Sequence, residues 1–137
     1  MMDDASLSYG IIGSLSSFGL GMALATVWWI PSSIEPAFWL SIFIACALII
    51  ARTRRTRHFL HGFLVSLANC VWVTSAHVLF YQSYLANHAS EAAMLKSMPL
   101  PDSPRAMMAL MGPVVGVVSG LVLGGFSFVA SKLFKQR

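Results

Sequence analysis

The charged residues of this chain are segregated, and that segregation constrains the fold more than any motif. No Asp, Glu, Lys or Arg occurs between Asp4 and Glu35, between Glu35 and Arg52, between Arg57 and Glu91, or between Arg105 and Lys132. These stretches hold 30, 16, 33 and 26 residues. A helix needs about 20 apolar residues to cross the hydrocarbon core of a bilayer. Charged residues make up 10% of the 137-residue chain, against about 25% in a soluble domain. That is too few to coat a water-facing surface. The pattern predicts an all-α integral membrane protein, a single four-helix transmembrane bundle with spans near 8–30, 34–51, 58–86 and 104–134. It excludes a soluble enzyme, a secreted disulfide scaffold, a disordered tail and a nucleic-acid-binding domain.

The net charge of +4 has a topological reading. Arg52, Arg54, Arg55 and Arg57 fall in the short link between the second and third spans, and Lys132, Lys135 and Arg137 follow the fourth. An even number of spans puts both clusters on one side. The positive-inside rule then places both termini and the arginine link in the cytoplasm. The same arginines are candidates for contact with anionic lipid headgroups, at about 1 kcal/mol per base, although a topology anchor already accounts for them.

Local punctuation supports the division. The first span lacks the basic leader of a signal peptide. Trp28, Trp29 and Trp39 bracket the connection Pro31-Ser32-Ser33-Ile34-Glu35-Pro36, as in an interfacial aromatic belt. A third helix over 58–86 would be ~43 Å long and would have to tilt or project beyond the membrane. Ser90 is expected to cap a short amphipathic helix over 91–98 in the second outer loop. Its Met94, Leu95 and Met98 face would rest on the bilayer surface. Ser103-Pro104 reads as the start of the fourth helix, and Pro113 predicts a kink inside it.

Small residues recur at four-residue spacing in three spans. Gly112, Gly116, Gly120 and Gly124 form a strip on the fourth, Gly13, Ser17, Gly21 and Ala25 a weaker one on the first, and Gly62, Ser66, Cys70 and Thr74 another on the third. Within lipid, helices associate through close backbone approach, which small side chains permit. These strips serve either packing within the chain or a seam with a partner, through a homo-oligomer or a larger membrane complex.

Chemically capable residues are sparse. Asn69 lies ~16 Å along the third helix, near the bilayer midplane, with Ser119 and Ser16 or Ser17 at similar depth. One interhelical hydrogen bond is the simplest expectation for it. His77, ~28 Å along, is the only titratable group clearly inside a span, and a proton relay through it would need partners at depth. His58 and His61 lack a third ligand for a metal site, and a bis-histidine haem would need histidines on facing helices. Cys46 and Cys70 differ too much in depth to pair. There is no G-x-S-x-G nucleophile motif and no C-x-x-C. No metal, no other cofactor and no enzymatic activity are expected.

The basic lead into His58-Phe59-Leu60-His61-Gly62-Phe63-Leu64-Val65-Ser66-Leu67, the exit Phe80-Tyr81-Gln82-Ser83-Tyr84 and the glycine-rich last span ending Lys132-Leu133-Phe134-Lys135 resemble a family of small four-helix bacterial membrane proteins known only as a domain of unknown function. The resemblance covers about the C-terminal 80 residues. It implies an inner-membrane location and contributes no catalytic residue. The sequence therefore points to a non-enzymatic accessory, scaffolding or assembly subunit working through helix contacts. The alternative is a small oligomeric transporter or channel with Asn69 and His77 lining a path. A wet cavity containing both residues would favour the transporter, whereas Asn69 sealed between helices, with the glycine face open to lipid, would favour the scaffold.

Overall fold

The computed structural model describes residues 6–135; Asp3, Asp4 and Arg137 lie outside them. The described chain is helical throughout: α1 (Tyr9–Trp28), α2 (Glu35–Thr53), α3 (His58–Leu79), α4 (Tyr81–Asn87), α5 (Ala89–Lys96) and α6 (Pro104–Lys135). Four of these, α1, α2, α3 and α6, are long and apolar enough to cross a membrane. Many large apolar side chains are exposed, among them Val71, Leu79, Leu110 and Leu133, as expected where lipid replaces water as the solvent.

Helix ends follow the local chemistry. The Ser8 hydroxyl accepts from the Ile11 N–H at the start of α1, which meets one of the orphan donors of a first turn. Pro36 sits in the first turn of α2, where its missing N–H costs nothing, and Pro104 opens α6. Arg57 takes the left-handed conformation, φ 56°, and reverses the chain between α2 and α3. Pro113 lies within α6, which continues through it.

Two sequence expectations are corrected. The helix expected over 58–86 is interrupted at Phe80, whose backbone leaves the helical region (φ −101°, ψ 35°). The chain re-enters a helix at Tyr81 and bends back, so that the Asn87 amide donates to the Val27 carbonyl of α1 at 2.8 Å. No 43 Å rod has to be accommodated. The second correction concerns α5. It begins at Ala89 without a side-chain cap, and Ser90 donates to the Glu91 carboxylate instead. Leu95 is buried, and Met94, Leu95 and Met98 all border one cavity. Leu95 thus covers the bundle, while Met94 remains 51% exposed.

The strip on α6 meets the strip on α3 along their whole length. A Cβ added at Gly116 would lie 2.7 Å from Cys70 Cβ, one at Gly120 would lie 2.8 Å from Phe63, and one at Gly124 would lie 2.9 Å from the Phe59 carbonyl. Gly112 is equally tight against Thr74. Gly62 returns the fit, seated on the Leu123 carbonyl and Gly124 Cα. Ser66 donates to Ser119 across this seam at 3.0 Å, and the Cys70 thiol donates to the Gly112 carbonyl at 2.8 Å. The α6 strip is thus covered from within the chain. On α1 the outcome is the opposite. Gly13 and Gly21 have nothing within 4 Å, and Ser17 is exposed. The glycine that packs α1 on α3 is Gly19, which lies directly against Asn69.

One apolar cluster joins α1, α2, α3 and α6 around Leu15, Ile50, Val65 and Leu123 at the end bearing the arginine link. A smaller one, Ala23, Val27 and Ala76, joins α1 to α3 near the other end. The buried residues of α2 are Cys46, Ala47, Ile50 and Ala51, all in its C-terminal half. Its N-terminal half stands away from the bundle and leaves a chamber.

Candidate functional site

The chamber has a volume of about 620 Å³. One wall is the N-terminal half of α2, with Glu35, Trp39 and Phe43. The opposite wall is α3, which contributes Ser66, Asn69, Cys70, Thr74 and His77. Met108, Met111, Gly112, Val115 and Ser119 of α6 form a third side. Tyr84 of α4, Glu91, Met94 and Leu95 of α5, and Met98 just beyond it close the end. Four of the eight methionines of the chain border this one space. A pocket that is mostly apolar, with a few convergent polar groups, is the usual form of a small-molecule site.

Asn69 and His77 therefore border the same cavity. Asn69 is 3% exposed, and neither amide atom has a hydrogen-bond partner. The interhelical hydrogen bond expected of it is made one turn earlier, by Ser66 and Ser119. An unpartnered buried amide costs about 1–3 kcal/mol.

His77 does have partners. Its Nε2 lies 2.9 Å from the Thr26 hydroxyl. That hydroxyl already donates to the Ala23 carbonyl, so Nε2 carries the proton and donates to Thr26. The His77 ring stacks on Tyr84, centroids 3.8 Å apart, and Tyr84 stacks on His88 at 4.1 Å. His88 is fully buried. Its Nδ1 donates to the Tyr84 carbonyl at 2.9 Å, and its Nε2 lies 3.1 Å from Glu35 Oε2. One proton is held between that nitrogen and the Glu35 carboxylate. The other carboxylate oxygen accepts from Trp39 Nε1 at 3.1 Å.

Glu91 is the second acid at this end. Burial opposes its ionisation. Hydrogen bonds from Ser90, Ser32 and its own N–H, with the nearby His88, outweigh burial and hold the carboxyl below its ordinary range. Ser32 donates from the α1–α2 link at 2.8 Å. Burial, reinforced by Glu35 and Glu91, pushes the Tyr84 phenol above its ordinary value, and it stays protonated.

The remaining sequence candidates lie elsewhere. His61 is fully buried. It accepts from the Ser8 N–H at 3.1 Å and donates to the Arg57 carbonyl at 2.9 Å. His58 donates to the Arg54 carbonyl, so the two histidines are engaged separately. Cys46 and Cys70 are free thiols. Arg52, Arg54 and Arg55 border a cleft with His58, Ser131 and Phe134. Arg52 covers the Phe134 ring there, and Arg54 donates to the Ser6 carbonyl at 2.7 Å. Arg57 forms the left-handed turn.

Sequence reasoning missed Glu35, Thr26, Tyr84 and His88. A signal for part of the set was present. His77, Tyr84 and His88 are spaced seven and four residues apart, which puts them on one helical face. Comparison with protein-family models, with curated proteins and with solved structures finds no match for this chain.

Proposed function

We propose that this protein is a non-enzymatic membrane protein that binds a small, largely apolar molecule inside its helix bundle, as a carrier or channel subunit does. The observation that carries this reading is the chamber of about 620 Å³ bordered jointly by Asn69 and His77. The Asn69 amide is packed against Gly19 of α1, so the carboxylates of Glu35 and Glu91 are the charged groups such a molecule would meet on the wall. The α6 glycine strip is already filled by α3, so it does not support a partner seam. Seven basic residues on one side, with Arg52, Arg54, Arg55 and Arg57 among them, support an inner-membrane orientation with both termini in the cytoplasm.

The test is extraction in a mild non-ionic detergent and mass spectrometry of the small molecules retained. Wild type is expected to retain a species that Met111→Trp, which fills the chamber, does not. Equal retention by both refutes the reading. A second reading, an accessory subunit, is favoured by the open Gly13, Ser17 and Gly21 face of α1. It predicts efficient cross-linking of Ser17→Cys in native membranes, to a second copy or to another protein.

A further inference from the structure

We infer that the occupant of the chamber is a lipophilic cation. This inference rests on the chamber reading above and adds the charge of the ligand. The acids on its wall are Glu35 and Glu91, and no Lys or Arg borders it among the described residues. The bases at the same end are engaged or turned outward: Arg105 sits over the Tyr81 ring at 5.3 Å, and Lys96 is exposed. Glu35 is partly matched by His88. Glu91 is hydrogen-bonded by neutral donors, the Ser32 and Ser90 hydroxyls and its own N–H. It keeps its negative charge near an apolar space, where a carboxylate acts more strongly than in water.

The rest of the lining suits the same ligand. Trp39 and Phe43 offer aromatic surfaces, whose faces attract cations. Met94, Met98, Met108 and Met111 supply soft, polarisable surface that adapts to bulky shapes. Asn69 also borders the space, but its amide is packed against Gly19 of α1, which leaves the two carboxylates as the charged groups on the wall. An anion of the same size would face two carboxylates with no Lys or Arg among the described residues of the wall to balance them.

The experiment uses three molecules of nearly identical shape: tetraphenylphosphonium, tetraphenylsilane and tetraphenylborate. Each is equilibrated with the full chain in a non-ionic detergent, against protein-free micelles as background. The phosphonium is expected to bind at least ~10-fold more tightly than the silane and the borate, and Glu91→Gln to remove most of that preference while Glu91→Asp retains it. Silane or borate binding as tight as the phosphonium overturns the cationic assignment but leaves the chamber reading standing. Saturable binding of none of the three overturns the chamber reading itself. The comparison on wild type decides the question even if a variant fails to fold.

Discussion

Replacing Gly62 with alanine tests the interlocked α3–α6 seam most directly. The new Cβ would stand 2.7 Å from the Leu123 carbonyl oxygen and 3.0 Å from Gly124 Cα. Both are backbone atoms of α6, so no side chain can swing aside. Ordinary van der Waals contact begins at 3.4 Å, and relief therefore requires about 0.7 Å of separation between the helices. A gap of that order forfeits roughly a quarter to a half of each dispersion contact it opens. It also stretches the Ser66–Ser119 hydrogen bond one turn away. Overpacking of this kind costs ~1–3 kcal/mol, and a rigid backbone on both sides argues for the upper part of that range. The alanine recovers up to ~1 kcal/mol of helix propensity, which leaves a net loss of ~2 kcal/mol. Gly21→Ala is the matched control. Nothing lies within 4 Å of it, so it is expected to be neutral or stabilising by up to ~1 kcal/mol. Reversible unfolding in mixed micelles, followed by tryptophan fluorescence, measures both. If the two variants agree within ~0.5 kcal/mol, the close seam does not exist.

Asn69→Leu is expected to stabilise the ligand-free protein by ~1 kcal/mol in the same assay, because it removes two unpaired buried polar atoms. A Ser66→Ala and Ser119→Ala double-mutant cycle should give a coupling of ~0.6 kcal/mol, typical of hydrogen bonds between membrane helices; zero coupling would mean that the bond is not formed. The Glu91 carboxyl is lowered in the folded state, so its contribution is complete above the ordinary carboxylate value and is lost as pH falls through the lowered one. Wild type should therefore be more stable than Glu91→Gln at neutral pH, and the two should converge in acid; thermal unfolding across pH checks the sign. Glu35→Gln removes the charged partner of the fully buried His88 and should cost ~1–3 kcal/mol, with loss of the α2 contact visible as a change in Trp39 fluorescence.

The four spans were legible because lipid demands long uncharged stretches, and this chain keeps its charges out of them. Proline placement marked the starts of α2 and α6 for equally local reasons. The small-residue ladders were also legible, but their pairing was not. Four-residue spacing identifies a face without naming what covers it, so Gly116 against Cys70 and the uncovered Gly21 look alike in sequence. The break at Phe80 was hidden because nothing in Leu79-Phe80-Tyr81 stops a helix; the Asn87–Val27 hydrogen bond that fixes the bend is 60 residues long-range. The site was half visible. Asn69 and His77 stood out as polar residues inside apolar runs. Glu35 and His88 carry no such signal, since only the folded chain brings 35 and 88 together.

The uneven attachment of α2 has a mechanical consequence. The rod is bolted at its arginine end by Cys46, Ala47, Ile50 and Ala51, while its far end is latched by the His88–Glu35 contact. The Ser32–Glu91 contact holds the adjoining link. Such a cantilever can swing without disturbing the glycine-locked pair beside it. Movement of this end of α2 would have to part those two polar contacts, and a cation paired with Glu35 and Glu91 would compete with both.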